Sequence, residues 1–129
     1  MPGNADQRQY IRYPLGLDAN AVVGNNIKIR KCVVNTISHN GVAMDLLVRD
    51  ELVVGQNIML AILLPGRMVA LNVIVKLKWF EMFEENNQFN AAAGGVIVFI
   101  KNEDRSALLD YAFKQVLEAE KKEAAGPAG

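Results

Sequence analysis

Leu71, Val73, Val75, Leu77 and Trp79 alternate with Asn72, Ile74, Lys76 and Lys78. Period-two alternation of this kind marks a β-strand with one face buried, and the β-branched residues within it agree. Such a strand needs neighbours for its apolar face, and the flanking sequence supplies them. Ile58 to Leu64 is a continuous apolar run stopped by Pro65-Gly66-Arg67, a turn signal, so residues 57–80 read as a hairpin. Val96-Ile97-Val98-Phe99-Ile100 follows Gly94-Gly95. Upstream, Ile27 to Ile37 and Val42 to Val48 flank the turn Ser38-His39-Asn40-Gly41. A weaker strand covers Leu15 to Val23 and ends at Gly24-Asn25-Asn26. Six short strands with tight turns in about 90 residues point to an antiparallel barrel or sandwich.

Two of these strands are apolar on both faces, so the outside of the sheet needs a cover, either a helix or another subunit in a homo-oligomer. One helix is plain. Asn102 is a good N-cap, Glu103 and Asp104 suit the positive end of the dipole, and Leu108, Leu109, Ala112, Phe113, Val116 and Leu117 recur at helical spacing. Asp110 with Lys114 and Glu118 with Lys122 form acid-first pairs four apart on the polar face. The spacing predicts a helix over 103–122.

The chain has 129 residues, room for one compact domain. Residues 1–7 are small and polar and read as a flexible leader, residues 8–122 as the domain, and residues 123–129 as a flexible tail. Fourteen basic residues balance fourteen acidic ones. A protein held to DNA, RNA or anionic lipid by non-specific attraction would be visibly basic, so neither a nucleic-acid polymer nor a membrane is the expected partner. Cys32 is the only cysteine and His39 the only histidine, which excludes an intrachain disulfide, a thiolate metal cage and the usual zinc spacings. No apolar run reaches the roughly 18–20 residues of a membrane span, and the first residues lack the apolar segment of a secretory signal. The expectation is a cytoplasmic domain without metal or cofactor.

Catalysis finds little support. Ser38, His39 and Asp45 are the residue types of a hydrolytic triad, but Ser38 and His39 are neighbours in one turn, where side chains point apart. Glu84 and Glu85 sit in the polar stretch Glu-Glu-Asn-Asn-Gln and read as solvated. There is no glycine-rich phosphate loop and no dinucleotide fingerprint. An enzyme is not expected.

Two other features remain. Arg8-Gln9-Tyr10-Ile11-Arg12 places two arginines four apart just before the first strand. Thr36-Ile37-Ser38-His39-Asn40-Gly41 runs from a strand end into a turn, and Asn-Gly is a strong turn dipeptide in which glycine supplies a positive φ. In this order and on this scaffold, from about Arg8 to Leu117, the chain resembles the PilZ domain family. That family is a six-stranded antiparallel β-barrel with a C-terminal helix that binds the bacterial second messenger cyclic di-GMP. Its signature is Arg-x-x-x-Arg followed by Asp/Asn-x-Ser-x-x-Gly. Gly95-Val96-Ile97-Val98-Phe99 is similar to the family's glycine-led last strand.

The resemblance implies a mainly β fold of that architecture and a non-catalytic receptor. Arg8 and Arg12 would form a movable clamp, and Thr36, Ser38 and Gly41 a fixed floor. From the residues themselves, Trp79 at the end of the cleanest strand reads as a core or barrel-rim residue or else as an aromatic platform beside a guanine, and His39, exposed in the turn, lies within reach of a ligand there without being essential to it. Arginine forks match the O6/N7 edge of guanine and clasp phosphates, and can stack on a purine face. Gln7 and Gln9, beside the first arginine, are neutral, so one ligand per chain is expected. The receptor would act on an unidentified effector protein, with motility, polysaccharide or pilus outputs typical of the family. The alternative is a protein–protein interaction module of the same fold that does not bind cyclic di-GMP. One departure bears on the choice: the Asp/Asn position of the second motif is Thr36, while Asn35 lies one residue early. On a regular strand Asn35 would point to the opposite face.

Overall fold

The computed structural model describes residues 12–24, 27–29, 31–48, 52–85 and 88–125. Strands β1 (Tyr13–Val23), β2 (Ile27–Lys28), β3 (Lys31–Ile37), β4 (Gly41–Val48), β5 (Asn57–Ile62), β6 (Leu71–Glu85) and β7 (Gln88–Ile100) precede one helix, α1 (Asn102–Ala125). All strand pairings are antiparallel and run β1-β3-β4-β7-β6-β5, with β5 returning to β1 to close a six-stranded barrel. The two-residue β2 continues along β1 where β3 leaves it, pairing Val22 with Lys28 and Val23 with Ile27. The expected single strand from Ile27 to Ile37 is thus broken around residue 29, whose N–H donates to the Ala21 carbonyl at 2.9 Å.

Alternation sets the inside. Val34, Ile37, Val42, Met44, Ile58, Leu60, Ile62, Val73, Val75 and Leu77 are almost wholly buried in the barrel. At about 25 cal/mol per Å² of apolar surface this interior is the main stabilising term. Leu108 and Ala112 of α1 are equally buried, and the helix packs chiefly on β1, with Phe113 edge-on to Tyr13 at 6.0 Å between ring centres. Phe113 and Leu117 nonetheless keep much of their surface exposed, and so do Met59, Val96, Val98 and Phe99 on the barrel wall. The helix therefore closes one side of the barrel and leaves the β5-β6-β7 wall uncovered among the described residues.

Boundaries differ from the sequence expectation at α1 and at β6. The first i→i−4 bond of α1 runs from the Arg105 N–H to the Lys101 carbonyl at 2.9 Å, so Asn102 sits inside the first turn and Lys101 is the flanking residue. β6 does not stop at Trp79 but continues to Glu85, paired along its length with a long β7. The acidic residues Glu84 and Glu85 are therefore strand residues, paired with Phe89 and Gln88 of β7. Pro65-Gly66 behaves as expected: Gly66 has φ 85° and the Arg67 N–H reaches the Leu64 carbonyl at 3.1 Å, a turn with proline then glycine at its centre.

Candidate functional site

The turn between β3 and β4 is self-supporting. The Ser38 N–H donates to the Gly41 carbonyl at 2.9 Å, and the Gly41 N–H donates to Ser38 Oγ at 3.0 Å. The Asn40 carbonyl accepts the Ile97 N–H at 2.7 Å, which stitches the turn to β7. Ser38 is buried at 5% exposure, so its hydroxyl serves the turn first. His39 stands exposed at the tip. Gly41 is not one of the chain's positive-φ glycines, which corrects the expected role of its residue type. Its reason is space: a Cβ there would lie 3.2 Å from the Gly95 carbonyl oxygen and 3.5 Å from Ser38 Oγ.

Just upstream the strand carries an extra residue. Val34 pairs with Met44 and Thr36 with Ala43, so Asn35 and Thr36 together oppose one residue of β4. Such a β-bulge resets the facing of every side chain beyond it. Cys32 and Val34 face inward and so does Ile37, leaving Asn35 and Thr36 as consecutive half-buried residues between them. The expectation that Asn35 turns to the opposite face from Thr36 is therefore corrected. β1 answers with a second irregularity, Leu15 and Gly16 against Asn35, where Gly16 takes φ 63°.

Following the register sideways reveals one row across the outer face. Pro14 pairs with Thr36, Thr36 with Ala43, Ala43 with Gly94, and Gly94 with Trp79. Paired residues share a face, so this row runs on the outside of the barrel, and Thr36 and Trp79 stand three strand spacings apart, roughly 14 Å along the sheet. Between them the floor is small. The Trp79 indole lies over Gly94, because a Cβ on that glycine would come within 2.2 Å of Nε1 and 2.6 Å of Cε2. Trp79 remains 49% exposed and so presents a flat apolar surface to solvent. Arg12 is exposed immediately before Tyr13, and since Tyr13 pairs with Ile37, continuing the register brings Arg12 level with Ser38. Tyr13 itself packs on Phe113. Arg8 lies outside the described residues.

Charge is distributed unevenly around the row. Toward the turn, Gly41 pairs with Val96 and Val96 with Lys76, which is exposed on the outer face; Lys78, the extra residue of a bulge in β6, is exposed beside Trp79. Away from the turn, Asp18 pairs with Val33, Val33 with Asp45, Asp45 with Ala92 and Ala92 with Glu81, a parallel row with three exposed carboxylates. An anion on this face is drawn toward the Arg12 and lysine side and away from the acidic one. Beneath, burial pushes the Cys32 thiol up to about 12, assisted by Asp18 and Asp45. It is a buried, protonated thiol without nucleophilic character.

The sequence reading brought forward Arg12, Thr36, Ser38, Gly41, His39 and Trp79, and the structure gathers them on or beside one outer face. It missed Ala43, Gly94, Lys76 and Lys78, which are neighbours only through the register. The signal available was Gly94-Gly95 in mid-strand, where glycine marks close approach. Among the described residues no cluster of His, Cys, Asp or Glu is arranged to hold a metal ion, and no helix is long and apolar enough to cross a membrane.

The fold has solved counterparts. The PilZ domain of YcgR from Escherichia coli with c-di-GMP superposes with a TM-score of 0.69 at 14% identity, covering 92% of this chain and 98% of that one. Bacillus subtilis MotI/DgrA, an inhibitor of motility, gives 0.65 at 21% identity over 87% of this chain. The K. pneumonia MrkH–c-di-GMP complex gives 0.66 at 14% identity over 89% of this chain. The chain spans about half the length of these last two, 52% and 55%. Functionally curated proteins yield no match. The sequence matches the profile of the PilZ domain over residues 6–114, nearly all of the barrel and much of its helix. The chain belongs to the PilZ domain family.

Proposed function

We propose that this chain is a receptor for cyclic di-GMP, and that it couples the level of that messenger to a partner's activity through the Arg8–Arg12 segment. The observation that carries the reading is the single outer-face row from Pro14 through Thr36 to Trp79, with Arg12 and the Ser38–Gly41 turn along one side of it. A cyclic dinucleotide presents two purine faces and two phosphodiester charges. The exposed indole suits a purine face, and guanidinium groups suit guanine edges or phosphates. The small residues Ala43 and Gly94 leave the surface between them low. The acidic row limits where the phosphates can lie, and one ligand per chain is in keeping with the neutral Gln7 and Gln9 beside Arg8. YcgR and MrkH have been solved with this ligand, which supports the same class of ligand here.

Calorimetric titration with cyclic di-GMP tests the reading. The wild-type chain is expected to bind one ligand, and Arg12→Ala to weaken binding by about tenfold, the loss of one charge-assisted contact. The thermal midpoint without ligand should not move, because Arg12 is exposed outside the barrel core. Absence of binding by the wild type refutes the receptor reading and favours the same fold used only for protein–protein contact, the reading to which Thr36 at the motif's amide position lends weight.

A further inference from the structure

Asn40-Gly41 is the only Asn-Gly pair in the chain. It is the pair most prone to spontaneous deamidation, because glycine has no side chain to obstruct its own backbone nitrogen. In that reaction the Gly41 nitrogen gives up its proton and bonds to Asn40 Cγ, the C–N bond of the side-chain amide breaks, and ammonia departs. Water then opens the resulting succinimide at one of its two carbonyls and leaves aspartate or isoaspartate. The balance is one water in and one ammonia out. Either product puts a carboxylate into the β3–β4 turn, and isoaspartate also adds a carbon to the backbone there.

The rotation that this chemistry cannot avoid is that of the Asn40–Gly41 peptide unit, which must swing its nitrogen toward Cγ. In this turn the unit is pinned at both of its polar atoms. Its carbonyl, that of Asn40, accepts the Ile97 N–H at 2.7 Å, and its N–H, that of Gly41, donates to Ser38 Oγ at 3.0 Å. Ser38 is fixed in turn, since its own N–H donates to the Gly41 carbonyl at 2.9 Å. At 5% exposure the Ser38 hydroxyl also screens the Gly41 nitrogen from the base that would take its proton. We propose that Ser38 has a task apart from any ligand: it holds the Asn40–Gly41 peptide unit against deamidation, and the turn is a latent modification site that reacts only when it opens. The rate then follows the fraction of molecules in which that unit is released.

Deamidation is read by mass spectrometry of the peptide carrying residues 32–49 after incubation at pH 8, with fragmentation to separate Asn40 from Asn35. The folded wild type should react about tenfold or more slowly than the same chain in guanidinium chloride. Ser38→Ala frees the Gly41 N–H and should react about fivefold faster than the folded wild type, the effect of one hydrogen bond. Leu60→Ala, which loosens the core from β5 and leaves the Ser38 hydroxyl in place, should keep the wild-type rate while folded. In the wild type the Gly41 amide should also exchange slowly with deuterium, a readout that needs no substitution and holds even where Ser38→Ala folds poorly. A folded wild type that reacts as fast as the unfolded chain, or a fast-exchanging Gly41 amide, overturns the proposal. So does a well-folded Ser38→Ala at the wild-type rate, or a Leu60→Ala as fast as Ser38→Ala.

Discussion

Replacing Gly94 by alanine should expel the only tryptophan of the chain from its seat. A Cβ at residue 94 would lie 2.2, 2.6 and 2.9 Å from three indole atoms of Trp79, and the half-exposed indole is the group free to give way. A tryptophan buries some 150–250 Å² when fully covered, so half-coverage is about 100 Å², worth about 2.5 kcal/mol. Alanine in a strand returns about 0.5–1 kcal/mol of backbone entropy relative to glycine. The net loss is about 1.5–2 kcal/mol, or about 6–8 °C in thermal midpoint for a domain of this size. Thermal unfolding by circular dichroism measures the loss, and tryptophan emission should move to longer wavelength as the ring enters water. In a Trp79→Ala background the same substitution should be neutral or slightly stabilising, because the clash has no partner; this closes a double-mutant cycle. An unchanged emission maximum with an unchanged midpoint would refute the placement of the indole over Gly94.

Two neighbouring positions give contrasting expectations. Gly95→Ala should cost more than Gly94→Ala, about 3 kcal/mol, because its Cβ would meet Val75 Cγ1 at 2.3 Å and the Lys76 carbonyl oxygen at 2.6 Å, a backbone atom with no room to swing away; a denaturant midpoint equal to that of Gly94→Ala contradicts this. Cys32 should resist a thiol reagent at pH 8 until the protein unfolds. Its native pKa, raised to about 12 from 9.0, means that the folded state keeps a proton the unfolded chain releases, so its contribution to stability is complete below pH 9 and is lost as pH climbs toward 12. Urea midpoints of wild type and Cys32→Ala between pH 8 and 10.5 measure that slope, and parallel curves would contradict it.

The strand alternation of β6, the Pro65-Gly66 turn and the stripe of α1 were legible because each is written in residues a few positions apart. Counting such segments left a barrel or a sandwich, and the resemblance to the family selected the barrel. What escaped is what depends on pairing. The bulge at Asn35–Thr36 has no local marker, since whether a strand carries an extra residue is decided by the strand beside it. The same holds for the length of the β6–β7 hairpin: Glu84 and Glu85 are poor strand formers, yet the β7 partner holds them in a ladder. Gly41 was legible as a glycine position but for the wrong reason, because a close approach to Gly95 across the sheet leaves no trace in neighbouring residues. Arg12, Ser38 and Trp79 could be singled out one by one. That Thr36, Ala43, Gly94 and Trp79 form a line is two-dimensional information, available only once the register is known.

The outer-face row proposed to hold the ligand occupies the convex side of the same strands whose other side builds the core. Along β4, Ala43 faces out while Val42 and Met44 face in, and along β3 the same division separates Thr36 from Ile37. Natural selection for affinity and selection for folding therefore act on alternate letters of one stretch of sequence. A substitution at an outward residue such as Ala43 leaves the hydrophobic interior unaltered, whereas Gly94 and Trp79 serve both the outer face and the stability of the sheet. If the proposed reading holds, directed evolution toward another cyclic dinucleotide would begin from outward residues such as Ala43, with the barrel held constant.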